Sequence, residues 1–169
     1  MAVKEESIQL AIDLEQEGNE YYTKHARETT NPVSKKVLES LADQELEHIR
    51  VVKKIAEGKS VASEEMKSVD LESVTREVFE EFSGAEKESW KEEDTSIYDH
   101  ALDLEEKLYN LYKDLKNDSE NEEEEEFFDA LMNEENKHYE SLANVLYYYT
   151  DHERWMSESE GEIWGWMNV

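Results

Sequence analysis

The chain has 169 residues, enough for one domain with its own core and short of what two would need. It carries 18 Lys and Arg against 45 Asp and Glu, a formal net charge of −27, so its surface repels phosphate backbones and anionic lipid and no nucleic-acid or membrane partner is expected. It contains no cysteine, which excludes disulfides, thiolate zinc sites, iron–sulfur clusters and a thiol nucleophile.

One proline and five glycines, in a chain rich in Glu, Leu, Lys and Ala, point to an all-α fold. No stretch approaches the roughly 20 apolar residues of a membrane span. Residues 1–9 include Glu5 and Glu6 and lack the apolar run of a secretory signal. The expectation is a soluble, cytoplasmic protein. Acidity alone marks a well-solvated surface; it does not identify a metal site.

The first helix is expected from about Val3 to Thr29, with Ile8, Ala11, Ile12, Glu15, Gly18, Tyr22 and Ala26 on one face at three- and four-residue steps. Asn31 and Pro32 stop it, and together they cap and open the second helix. That helix runs to about Glu57, with Gly58 as its stop, and its inner face reads Leu38, Leu41, Glu45, His48, Val52 and Ile55. Residues 59–94 form a long connection, with an amphipathic helix near 70–83 built on Leu71, Val74, Val78, Phe79 and Phe82. A connection of that length suits a crossover to the far side of a bundle. A third helix spans about Ser96 to Lys116. A fourth starts near Ser119 or Glu120 and runs to about Tyr149, with the acidic run Glu122 to Glu126 at the positive end of its dipole. Residues 1–150 thus read as an antiparallel four-helix bundle. Residues 151–169 read as a short tail whose Trp155, Trp164 and Trp166 need cover from this bundle or from a second subunit.

The two halves of the bundle repeat. At an offset of 90 residues and without a gap, Ala11-Ile12-Asp13-Leu14-Glu15 falls on Ala101-Leu102-Asp103-Leu104-Glu105, Tyr22 on Tyr112, Leu41 on Leu131, Glu45 on Glu135 and His48 on His138. Glu-x-x-His puts both side chains on one helix face about a turn apart, where they can share an ion. A single such pair is ordinary on a glutamate-rich helix surface. Here both pairs lie on the apolar stripe, and each follows an on-stripe glutamate by 30 residues. Four carboxylates facing one another in a core would repel strongly, and two divalent cations remove both the burial cost and the repulsion. The candidate ligands are therefore Glu15, Glu45, His48, Glu105, Glu135 and His138. Tyr22 and Tyr112 are either hydrogen-bond partners of ligand carboxylates across the bundle or plain core aromatics. His25 lies about 15 Å along the helix from Glu15, at 1.5 Å per residue, and is a bundle-end group rather than a ligand. His100 and His152 read as surface residues.

Glu, then Glu-x-x-His, then a second Glu and a second Glu-x-x-His, is the pattern of ferritin-like di-iron and di-manganese carboxylate proteins. In its wording the chain resembles the rubrerythrin family more closely, through Ala11-Ile-Asp-Leu-Glu-Gln-Glu-Gly-Asn-Glu-Tyr-Tyr22 and Leu41-Ala-Asp-Gln-Glu-Leu-Glu-His48, over roughly residues 5–150. The resemblance implies a ferritin-like bundle with two iron ions, manganese being the alternative metal. Glu15 and Glu105 would be terminal ligands, Glu45 and Glu135 bridges, and His48 and His138 would complete one ion each. It also implies an oxidoreductase that reduces hydrogen peroxide or O2 with electrons from an external donor protein. The alternatives are a ferritin-type ferroxidase and a non-enzymatic iron-binding or storage protein. The chain departs from the family in two places. It has no cysteine for a rubredoxin-like iron domain, and Leu108 stands where an extra carboxylate often follows the helix-three glutamate. A homodimer is the expected assembly.

Overall fold

The computed structural model describes residues 5–57, 95–151 and 154. Four helices carry them: α1, Glu5–Glu28; α2, Pro32–Ala56; α3, Ser96–Asp118; and α4, Glu122–Thr150. None of these helices is long and apolar enough to cross a membrane.

Local chemistry accounts for the helix ends. Asn31 has extended backbone, and its side-chain oxygen accepts the N–H groups of Val33 and Ser34 at 2.8 and 3.0 Å, while Pro32 fills the first position of α2, where no N–H partner is needed. At the other end of α2 the Glu57 N–H closes on the Lys53 carbonyl, and Gly58 lies outside the described residues. α3 continues two residues beyond Lys116. Ser119 ends it by giving its N–H to the Lys116 carbonyl and its hydroxyl to the Leu115 carbonyl. α4 starts at Glu122, later than the Ser119 or Glu120 expected from sequence, because the side chain of Asn121 accepts the Glu124 N–H and caps it. The acidic run then occupies the first turns of α4, at the positive end of the helix dipole.

The inner face of α1 is the expected one: Ile8, Ala11, Ile12, Glu15, Gly18, Tyr22 and Ala26 are all buried. On α2 the expected face is buried except for Ile55, which is partly exposed at the helix end. α1 and α2 form one antiparallel hairpin and α3 and α4 the other, with α1 beside α3 and α2 beside α4. One apolar cluster contains Ile8, Val52, Leu115 and Phe128, from the start of α1, the ends of α2 and α3 and the start of α4. The other contains Ala26, Leu38, Tyr98 and Tyr148 and fills the opposite pole. α2 therefore ends at the pole opposite to the start of α3. The crossover expected at 59–94, with its short helix near 70–83, lies outside the described residues, as do Trp155, Trp164 and Trp166.

Buried polar bonds tie the hairpins together at the second pole. The Tyr98 hydroxyl donates to Ser34 Oγ at 2.5 Å, Ser34 Oγ and the Tyr149 hydroxyl are 2.6 Å apart, and the Tyr21 hydroxyl donates to the Ile97 carbonyl at 2.9 Å. Between the two apolar clusters lies a layer of different character, which holds Glu15, Glu45, His48, Glu105, Glu135 and His138.

Asn31→Ala leaves two helix-start N–H groups without their acceptor in a buried setting and should cost about 1–2 kcal/mol in urea unfolding. Asn31→Asp keeps an acceptor and should cost much less. Asn121→Ala removes an exposed cap and should fall at or below the lower end of that range.

Candidate metal centre

Each of the six polar side chains reaches the central layer because its own helix buries that face. Glu15, Glu45, Glu105, Glu135 and His138 have no exposed surface, and His48 has 3 %. The imidazoles stack across the α2–α4 boundary, ring centres 5.3 Å apart and 13° from parallel. His48 Nδ1 faces Glu15 at 3.4 Å, Glu45 at 3.5 Å and Glu135 at 3.0 Å. His138 Nδ1 faces Glu45 at 3.2 Å, Glu105 at 3.4 Å and Glu135 at 3.3 Å. Two quartets result, Glu15-Glu45-His48-Glu135 and Glu45-Glu105-Glu135-His138, each offering one ligand atom per residue within 4.8 Å of the others. Glu45 and Glu135 belong to both.

The donor atoms fit metal ions. Ligand atoms about 2.1 Å from a shared ion stand about 3.0 Å apart in octahedral and about 3.4 Å apart in tetrahedral coordination, close to the spacings found here. Buried carboxylate oxygens on all four glutamates, and Nδ1 of both histidines, make no hydrogen bond. Buried polar atoms are ordinarily paired, so this concentration in one layer calls for a positive partner. The set is all oxygen and imidazole nitrogen, the donors that suit iron(II) and manganese(II).

The oxygens that face away from the centre are held by two tyrosines in a crossed arrangement. The Tyr22 hydroxyl donates to Glu105, and the Tyr112 hydroxyl donates to Glu15. Each tyrosine thus serves the other half of the repeat, because α1 and α3 run antiparallel and bring residue 22 level with 105 and residue 112 level with 15. Of the two readings open at the level of sequence, the hydrogen-bonding one describes both side chains. Burial, followed by the negative charge of Glu105 for Tyr22 and of Glu15 for Tyr112, pushes both phenols well above their usual pKa and keeps them neutral donors.

Gly18, one turn after Glu15, lies against Glu45: a Cβ there would sit in ordinary contact with Glu45 Cγ at 3.6 Å. Its counterpart in the repeat is Leu108, which is buried and packs into the first apolar cluster. The halves therefore differ at this position, with a carboxylate at neither. His25 lies away from the layer, its ring against Tyr21 and its Nδ1 3.3 Å from Glu28, and the exposed His100 also lies against Tyr21. His152 is outside the described residues. Two polar neighbours of the layer, Gln44 and Glu134, are buried and were not singled out in the sequence; the 90-residue offset pairs them, and each directly precedes a shared glutamate.

Charge in the metal-free layer is shared by protons. Burial, reinforced by Glu135 and Glu45, raises Glu15 well above the usual carboxyl range. Burial raises Glu105 to about 8 against the pull of His138. Burial would lower both histidines, yet the surrounding carboxylates win and hold them protonated: Glu15 and Glu135 for His48, Glu105 and Glu45 for His138. Burial opposes ionisation of Glu45 and Glu135 too, but the positive charges of His48 and His138 beside them hold both below the usual carboxyl range.

A sequence model of the rubrerythrin family matches residues 6–146. No match is found among curated proteins or among solved structures. The chain belongs to the rubrerythrin family, and its four-helix bundle is ferritin-like. No rubredoxin-like Cys₄ iron site can be built from these 169 cysteine-free residues.

A carboxyl or imidazole whose pKa is raised by folding lends stability that is complete below its unfolded pKa and is lost as pH rises through the folded one. Glu15, Glu105, His48 and His138 all have this sign, while exposed carboxylates are already ionised. The thermal midpoint of metal-free protein should therefore fall as pH rises from about 6 to about 9. Bound metal replaces the protons and should remove the trend. A metal-free midpoint that is flat or rises over that window contradicts these proton positions.

Proposed function

We propose that this rubrerythrin-family chain is a non-haem di-iron oxidoreductase that reduces hydrogen peroxide or O2 with electrons from an external donor protein. The supporting observation is that Glu45 and Glu135 belong to both quartets at once. Two carboxylates shared in this way would bridge two ions, leaving Glu15 with His48 and Glu105 with His138 to complete one ion each. Four carboxylates carry four negative charges, which balance two divalent cations, so the loaded layer is neutral and stays buried without an uncompensated charge.

Iron ions held between such residues would together supply the two electrons that reduction of the oxidant needs. The protein's own part is arrangement. The two apolar clusters keep bulk water from the layer above and below. Tyr22 and Tyr112 fix the outer oxygens of Glu105 and Glu15, so the carboxylates keep one orientation as charge changes at the centre. Hard oxygen and imidazole donors favour iron(II), with manganese(II) the nearest competitor. We place the protein in the cytoplasm as a homodimer, with the tryptophans of residues 151–169 as the motive for association.

Elemental analysis after iron(II) reconstitution should give about two irons per chain, and peroxide should oxidise them faster than O2 does. Faster oxidation by O2 with continued iron uptake would replace the peroxidase by a ferroxidase. Glu45→Ala and Glu135→Ala should each lose most of the metal, since one carboxylate serves both ions. Retention of two ions by either variant would contradict the bridging assignment.

A further inference from the structure

Two long seams join the hairpins beside the carboxylate layer, and they differ in chemistry. Along α1 and α3, Leu104 and Leu108 are buried, and Leu14 and Leu111 pack onto the core, so that seam is closed by aliphatic side chains. Along α2 and α4 the seam is largely polar. Gln44, His48 and Val51 lie at helical steps on α2, and Glu134, His138 and Ser141 lie at the same steps on α4. The stacked His48 and His138 rings show that these stripes face each other. In an antiparallel pair with that register, Gln44 comes level with Ser141 and Glu134 with Val51. α2 and α4 also pack less closely than α1 and α3.

Exposure is graded across this seam. The Lys137 side chain is 53 % exposed and binds Glu134 at 2.7 Å, and the Glu134 side chain is only 10 % exposed. His48 is the most exposed of the six, at 3 %. Glu134 thus stands at the rim of the seam, level with Val51 one helical turn from His48, and belongs to neither quartet.

We propose that divalent cations enter and leave the central layer through the α2–α4 seam, with Glu134 as the transit carboxylate that takes them from water and passes them to the His48 side. The route rests on the two-metal assignment above. Lys137 neutralises Glu134 when no cation is in transit and is displaced by an arriving one. Local charge of this kind changes association rates by about 10–10³-fold and does not alter the final number of ions bound.

Cobalt(II) uptake by the metal-free full chain, followed by stopped-flow visible absorption, tests the route. Glu134→Gln, which keeps shape and loses charge, should fill about tenfold more slowly yet still reach two ions per chain. Lys137→Gln removes the competing ammonium and should fill faster than the natural chain. Glu106→Gln removes the same charge from an exposed face of α3 and should leave the rate unchanged. Glu134→Gln filling at the natural rate, or Glu106→Gln slowing uptake equally, overturns the route. A Glu134→Gln end point below two ions also overturns it, because Glu134 would then be a ligand. Failure of the natural chain to bind cobalt at all would instead overturn the two-metal assignment, an outcome distinct from an unchanged rate at full stoichiometry.

Discussion

Four glutamates converge on one dehydrated layer, and their mutual repulsion is the constraint around which the rest of the molecule is arranged. Nothing in the apolar clusters on either side can offset that charge. The layer is tolerable in two states. In one, protons are shared among Glu15, Glu105, His48 and His138, while Glu45 and Glu135 remain ionised. In the other, cations take the place of the protons. A residue set selected only for stability would replace such a layer with leucine, since buried ionic clusters seldom outperform apolar packing of the same volume. Such a layer in the middle of an otherwise well-packed core is a cost in stability that bound cations would offset.

The helices serve that layer in distinct ways. α2 and α4 each supply a Glu-x-x-His pair, so the shared carboxylates and both imidazoles come from one side of the bundle. α1 and α3 supply one glutamate each and then, two turns later, the tyrosine that fixes the other's glutamate. The crossed tyrosines make the hairpins interdependent: neither half completes its own set. Gly18 and Leu108 mark where the symmetry ends, one lying against Glu45 and the other filling apolar space.

Much of this was legible in the sequence, for a physical reason. A side chain that joins a buried polar layer must share its helix's inner face with the core, so Glu15, Glu45, His48, Glu105, Glu135 and His138 announced themselves by falling on the apolar stripe in two halves at one register. The 3.6-residue period says which face a side chain occupies; it does not say which neighbouring helix that face meets. For that reason Tyr22 and Tyr112 could be placed on the inner face, while the choice between a bond across the bundle and a plain core role could not be made until α1 and α3 were seen side by side. The same limit hid Gln44 and Glu134. Each is a polar residue next to a glutamate of the central layer in a chain crowded with acids, and only the position of α4 against α2 shows them buried. The late start of α4 is a competition among neighbouring cap candidates, decided in favour of Asn121 by its extended backbone and its bond to Glu124.

The central claim is that two ions share Glu45 and Glu135, and anomalous diffraction at the iron edge from crystals of the reconstituted protein tests it most directly. Two peaks about 3.5–4 Å apart, lying between His48 Nδ1 and His138 Nδ1 with a carboxylate of Glu45 and of Glu135 reaching both, are the expected result. A single peak, or two peaks with Glu45 and Glu135 each confined to one ion, would contradict it.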